Sequence, residues 1–257
     1  MAKVIVIANQ KGGVGKTTTA VNLSAYLGQH RKKTLLVDID PQGNATSGLG
    51  IDRNALKHCV YDCLINEVPA KALIIKTPFT RLDILPSSRQ LGGAEIELVE
   101  ESNREKKLKE QVDRLREDYD YIIIDAPPTL GLLTLNGLNA ADGLLVPLQC
   151  EYYALEGLGD ITNTFQLVKR HMNPNLELEG ILLTMYDGRT NLAQEVAEEV
   201  RAHFKDKVFQ TVIPRTVRLS EAPSYGMPIL EYDPKSKGAE VYDALAKEVI
   251  KRGKKRK

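Results

Sequence analysis

The sequence predicts an α/β fold: a doubly wound, mostly parallel sheet flanked by helices. Three observations carry this. Short apolar runs rich in β-branched residues recur at residues 4–8, 34–37, 82–85, 121–124, 143–148, 178–184 and 208–213. They lack polar alternation, as strands buried on both faces do. Segments with helical spacing separate them, and such alternation builds parallel sheets. A glycine-rich turn joins the first run to the first helical segment.

Each element has its own signal. The first run ends at polar Asn9-Gln10 and is too short for a signal peptide. A helix over Lys16–Gln29 follows the glycine turn. The runs at 34–37 and 121–124 end in the acids Asp38 and Asp125. Leu108, Val112 and Leu115 form a stripe in the charged stretch 100–118, which reads as a solvated helix. Leu192, Val196 and Val200 form a second stripe, with Asn191 and Gln194 resembling a capping box. Val241, Leu245 and Val249 form a third. The tail 251–257 is almost purely basic and is expected to fray. With no repeat or low-complexity linker, residues 1–250 read as one domain ahead of that tail.

Composition narrows the function classes. A chain of 257 residues buries a large core without disulfide or metal staples. No stretch approaches the ~20 apolar residues of a membrane span. Three cysteines, Cys59, Cys63 and Cys150, are too sparse for a disulfide framework and indicate a reducing compartment. His30, His58, His171 and His203 show no metal-binding spacing. The net charge of +1 requires any nucleic-acid affinity to come from a local patch.

The strongest motif is Lys11-Gly12-Gly13-Val14-Gly15-Lys16-Thr17-Thr18. Glycines let backbone N–H groups turn toward phosphates, and the helix N-terminus behind them adds positive potential. Lys16 reaches the β- and γ-phosphates, the Thr17 hydroxyl suits Mg²⁺, and Thr18 adds a phosphate contact. The pattern G-x-x-x-x-G-K-[ST] fails, because its first glycine falls on Gln10. The variant G-G-x-G-K-[ST] is met, and at average glycine usage it arises by chance in roughly one such chain per thousand. Ligands bind beyond the carboxyl ends of parallel strands, so Asp38, Asp40 and Asp125 should face this loop. Asp125 reads as the metal-holding carboxylate. Ala126 follows it, leaving no adjacent glutamate base, and Asp40 is the candidate to orient the attacking water. Phosphoryl transfer depends on positioning and charge neutralisation, which is compatible with slow turnover.

These residues resemble a known family. Asn9 to Thr18 looks like the deviant Walker A box of the ParA/MinD ATPases, a P-loop NTPase group. Val37-Asp38-Ile39-Asp40-Pro41-Gln42-Gly43-Asn44-Ala45-Thr46 looks like the ParA switch I, and Asp125-Ala126-Pro127-Pro128 like its Walker B. The resemblance implies ATP and Mg²⁺ as cofactors. Lys11 would cross to the partner's phosphates in a nucleotide-sandwich homodimer, with Lys16 and Asp40 supporting hydrolysis. Asp38 matches the first switch-I acid and joins Thr17 and Asp125 as a metal residue. Pro214 and Thr216 match the adenine-pocket positions; close relatives often carry Asn at the latter, and threonine has no amide, although a backbone contact survives.

The segment 201–218 carries Arg201, Lys205, Lys207, Arg215 and Arg218 against one acid, Asp206. DNA phosphates attract such a patch without sequence preference. Arg189 and Arg218 match the DNA-binding arginines of chromosomal ParA (Soj) proteins. The chain has no helix-turn-helix ahead of the phosphate loop, which argues against operator binding. The resemblance therefore implies a cytoplasmic, nucleoid-associated partitioning ATPase that binds double-stranded DNA as an ATP dimer. A ParB-type protein with a basic N-terminal segment would stimulate hydrolysis, and no membrane would be involved. The rivals are a MinD-like membrane switch, for which the tail lacks bulky apolar residues, a nitrogenase-reductase-like protein, for which the cysteines are badly placed, and a nucleotide-gated DNA scaffold that hardly turns over.

Overall fold

The computed structural model describes residues 1–152 and 154–255. Over them the chain runs β1 (Lys3–Ile7), α1 (Lys16–Gln29), β2 (Thr34–Asp38), α2 (Asn44–Gly48), α3 (Val60–Leu64), α4 (Ala70–Leu73), β3 (Ile75–Lys76), β4 (Leu82–Leu85), α5 (Leu91–Glu97) and α6 (Lys107–Asp113). It continues with β5 (Tyr121–Asp125), α7 (Leu132–Ala140), β6 (Gly143–Gln149), α8 (Ala154–His171), β7 (Glu177–Thr184), α9 (Asn191–Phe204), α10 (Val217–Glu221), α11 (Ile229–Tyr232) and α12 (Lys237–Lys255).

The strands pair in the order β3-β4-β2-β5-β1-β6-β7. Every pairing is parallel except that of β3 with β4 at one edge. Alternate strand residues feed two cores, as the unbroken apolar runs require. Val4, Val6, Ile122 and Ile124 pack under α3 and α5 to α9. Ile5, Ile7, Tyr121 and Ile123 pack under α1 and α12. Interior β1, between β5 and β6, carries the phosphate loop at its carboxyl end, the side on which open parallel sheets bind ligands.

Six of the seven expected strands are present. The seventh, 208–213, forms no ladder. It follows β7 through isolated contacts: a bridge from Val208 to Ile181, and the Phe209 and Ile213 N–H groups donating to Ile181 and Leu183 carbonyls at 2.9 Å each. The reason lies in α12. Glu248 accepts the N–H groups of Gln210 and Thr211 at 3.0 Å each, and Arg252 donates to the Val208 carbonyl at 2.9 Å. Side chains thus take the backbone groups that a strand would pair. The short β3 was not expected, because the apolar run Ala72-Leu73-Ile74-Ile75 is shared between the end of α4 and the first residue of the strand.

Two further expectations are corrected. Thr190, not Asn191, caps α9, its hydroxyl accepting the Ala193 N–H at 3.4 Å. Gln194 turns back to the Gly188 carbonyl at 2.6 Å, and Leu192 lies exposed while Ala193, Val196, Ala197 and Val200 form the buried stripe. The tail does not fray from Lys251, because α12 runs through to Lys255. Arg252 anchors it, with its guanidinium 4.1 Å from the Phe209 ring and hydrogen-bonded to Glu248. Arg256 and Lys257 lie outside the described residues. Cys59, Cys63 and Cys150 are buried free thiols, as expected. Among the described residues no helix is long and apolar enough to cross a membrane.

Candidate active site

The loop after β1 is fastened on both sides. The Asn9 amide donates to the Pro147 carbonyl at 2.7 Å, and its oxygen accepts the Lys11 N–H at 3.0 Å. Gln10 reaches Thr164 of α8 at 3.3 Å, and the Thr184 hydroxyl holds the Val14 carbonyl at 2.9 Å. Gly13 and Gly15 have φ of 73° and 87°, a region that favours glycine. A Cβ on Gly12 or Gly13 would meet nothing within 4 Å, so phosphates can approach that backbone closely. No side chain caps the start of α1, which leaves its first amides for an anion. The Lys16 amine folds back to the Lys11 carbonyl at 3.0 Å. Burial lowers its pKa, opposed by the charges of Asp125 and Asp40.

The acids meet this loop from the neighbouring strands. Ile7 is level with Asp125, and Asp125 with Asp38. Asp125 is fully buried, and among the described residues neither carboxylate oxygen has a hydrogen-bond partner. Burial, then the charge of Asp38, push its pKa well above the usual carboxylate range; the nearby Thr17 hydroxyl only tempers this. A bare carboxylate in such a place is unfavourable, and a divalent cation relieves both desolvation and repulsion. Asp125 and Thr17 therefore fit Mg²⁺. Among the described residues, no group of three or more His, Cys, Asp or Glu is placed to hold a metal ion. Mg²⁺ suits that sparse set, since it takes one or two protein oxygens and leaves the rest to phosphate and water.

Asp38 has a different local task. One oxygen accepts the Thr46 N–H at 2.9 Å and its hydroxyl at 2.7 Å; the other accepts the Asp40 N–H at 3.1 Å. A metal contact by Asp38 must use its remaining lone pairs. Burial is the main cause of its raised pKa. Asp40 accepts the Gln42 N–H at 2.9 Å, and its carbonyl takes the Ser87 hydroxyl at 2.7 Å. Thr46 and Ser87 thus set the geometry of both acids. Thr46 lay within the switch motif but carried no assigned role, and Ser87 had no sequence signal.

Pro214 and Thr216 line a cavity of about 300 Å³ with Gly15 and Thr18 of the phosphate loop and Met185, Leu219 and Pro223. Its apolar walls and its place beside the loop suit a nucleobase. Thr216 stands at the N-cap of α10 without capping through its side chain. Another cavity, of about 330 Å³ between α8 and β6–β7, contains none of the motif residues.

Comparison with known proteins agrees with this geometry. The family described as an AAA domain matches residues 2–178. The sporulation initiation inhibitor protein Soj of Bacillus subtilis is 58% identical over 98% of this chain and 100% of its own. The chromosome partitioning protein ParA of Myxococcus xanthus is 56% identical over 98% of this chain and 89% of its own. The chain belongs to the ParA/Soj family. Among solved structures, cobyrinic acid a,c-diamide synthase of Mycobacterium smegmatis with bound ADP and magnesium has a TM-score of 0.88 and 38% identity. That match covers 100% of this chain and 97% of the other.

The protein is accordingly a chromosome-partitioning ATPase of the ParA/Soj type that uses ATP and Mg²⁺. When bound, Mg²⁺ supplies charge neutralisation at the phosphates. The chain offers uncapped amides and the Lys16 amine on the phosphate side of the loop, and Asp125 and Thr17 on the side that fits the metal.

Lys11, Arg189 and Arg218 are not bare charges here. Lys11 pairs with Glu151 at 3.2 Å. Arg189 pairs with Asp187 at 2.6 Å, an interaction that pulls the Asp187 pKa down to about 2. Arg218 pairs with Glu221 at 3.0 Å and Asp233 at 3.3 Å. A bridge between Tyr186 and Pro214 brings the loop bearing Arg189 beside the segment leading to Arg215 and Arg218. Asp187 follows Tyr186 immediately, and the Asp187-Gly188 dipeptide is the turn signal that could have placed this pair.

Proposed function

We propose that ATP and Mg²⁺ clamp two copies face to face, and that the dimer joins two basic faces into a surface for double-stranded DNA without sequence preference. Lys11 reaches the partner's phosphates, Asp40 orients the attacking water, and Pro214 and Thr216 hold the base. Arg189 and Arg218 contact DNA phosphates. Hydrolysis is slow and is stimulated by a ParB-type protein with a basic N-terminal segment, which returns the protein to monomers. The setting is the cytoplasm, on the nucleoid, and residues 1–250 act as one ATPase unit.

One observation carries this reading. Lys16 lies inside its own loop, bonded to the Lys11 carbonyl, whereas the Lys11 amine points away to Glu151. Lys16 suffices for a phosphate-loop lysine in cis, so a second lysine directed outward suits service to another subunit. The burial of α12 against the sheet argues against a MinD-like membrane role, because Val241, Tyr242, Leu245 and Val249 are already used in the core.

The test is sedimentation of wild type and Lys11→Ala with a nonhydrolysable ATP analogue, followed by DNA binding with ATP and ADP across a salt series. Wild type should dimerise and bind DNA with a steep salt dependence, and Lys11→Ala should bind nucleotide as a monomer. A wild-type monomer saturated with analogue, or Lys11→Ala dimers, refutes the reading.

A further inference from the structure

Three consecutive residues at the head of the phosphate loop are tied to the segment from β6 to α8: Asn9 to Pro147, Gln10 to Thr164 and Lys11 to Glu151. The first two ties fix the loop's path. The third holds a charge that the first two place in register. Glu151 is itself positioned, because its other carboxylate oxygen takes the Gln149 amide and its carbonyl accepts the Ala154 N–H at 2.9 Å where α8 begins. Lys11 and Glu151 are 34% and 49% exposed, so the pair is within reach of solvent and of a second molecule.

We infer that Glu151 is a positioning residue that parks Lys11 within its own subunit, and that dimer closure exchanges this carboxylate for the triphosphate held by a second copy. The inference rests on the dimer proposed above. One amine faces two competing anions, a carboxylate in cis and polyphosphate in trans. The exchange occurs once in each subunit, so Glu151 raises the protein concentration at which nucleotide drives pairing. It also leaves Lys11 held in one place while the nucleotide of the same subunit binds to Lys16.

The test uses the full chain with Glu151→Gln, which keeps the side-chain size and removes the charge at an exposed site. Exposed ion pairs contribute about 1.5- to 5-fold each, so two exchanges should strengthen the dimer constant by about 2- to 25-fold. Sedimentation velocity with Mg²⁺ and a nonhydrolysable ATP analogue reads this as a lower midpoint concentration. Lys11→Ala with Glu151→Gln should match Lys11→Ala alone. In the nucleotide-free monomer, Lys11 should become more reactive to reductive methylation in Glu151→Gln, read by peptide mass spectrometry. If wild type dimerises and Glu151→Gln leaves the midpoint unchanged or raises it, the role of Glu151 is overturned while the dimer stands. If wild type stays monomeric at saturating analogue, the dimer reading falls and the exchange with it, even where Lys11 reactivity rises.

Discussion

Replacing Asp125 by Asn should stabilise the nucleotide-free protein and abolish its stabilisation by Mg-ATP. Asp125 has no exposed surface, and among the described residues neither of its oxygens has a hydrogen-bond partner. Asp38 and Asp40 add negative charge nearby, and Lys16 is the least of the influences on it. Asparagine removes the buried charge and turns an N–H₂ toward those acids. A buried unsatisfied polar group costs about 1–3 kcal/mol, and more when charged, so relief of about 1–3 kcal/mol is a conservative expectation. For a chain of this size that is about 2–12 °C in Tm. Wild type should recover the difference on adding Mg-ATP, through binding to the folded state alone. Circular dichroism melts at neutral pH, with and without Mg²⁺ and ATP, give both quantities. A nucleotide-free Asp125→Asn protein that melts below wild type would refute the argument that this carboxylate is held at a cost until a cation arrives.

Three further outcomes follow from the geometry. Lys16→Ala should lose ATP binding by calorimetry while melting within a few degrees of wild type, because among the described residues its amine hydrogen-bonds only to the Lys11 carbonyl; retained micromolar affinity contradicts its role. Arg189→Glu combined with Arg218→Glu should keep nucleotide-driven dimers, lose DNA and flatten the salt slope; an unchanged gel shift excludes these arginines. Burial raises the pKa of Glu248, but hydrogen bonds from Gln210, Thr211 and Arg252 together outweigh it, leaving it below its ordinary 4.5. A carboxylate with a depressed folded pKa stabilises above its unfolded pKa and loses that contribution as pH falls through the folded one. Glu248→Gln should therefore cost about 1–3 kcal/mol at neutral pH by urea titration, and the gap from wild type should close in the region below about pH 4. A gap that stays constant to acid pH removes the charge from the explanation.

The phosphate loop and the acids at the strand ends were legible because each is a local code. Glycine spacing sets backbone φ over a few residues, and an acid after an apolar run marks a strand's carboxyl end. Parallel packing then brings Ile7, Asp38 and Asp125 level without further information. What escaped depends on residues far apart in sequence. Ser87 reaches Asp40 across 47 positions, and Glu151 meets Lys11 across 140. The run 208–213 has strand composition, and Phe209 is buried as a strand residue would be. Its pairing is decided by Glu248 and Arg252, which no local window includes. Thr190 and Leu192 show the same limit at small scale, since spacing marked the helix and kept Val196 and Val200 in its buried stripe, but the cap moved back by one residue and Ala193 took the place of Leu192.

The grip of the last helix on the chain beside β7 has a consequence for how the molecule is handled. A sheet margin with spare amides and carbonyls invites strands from other molecules. Here Glu248 and Arg252 shield that margin through side-chain bonds, so a clone shortened before residue 248 would lose its guard as well as a few lysines. Such a protein should self-associate without any nucleotide, and its aggregates would be easily mistaken for the ordered pairing of intact subunits.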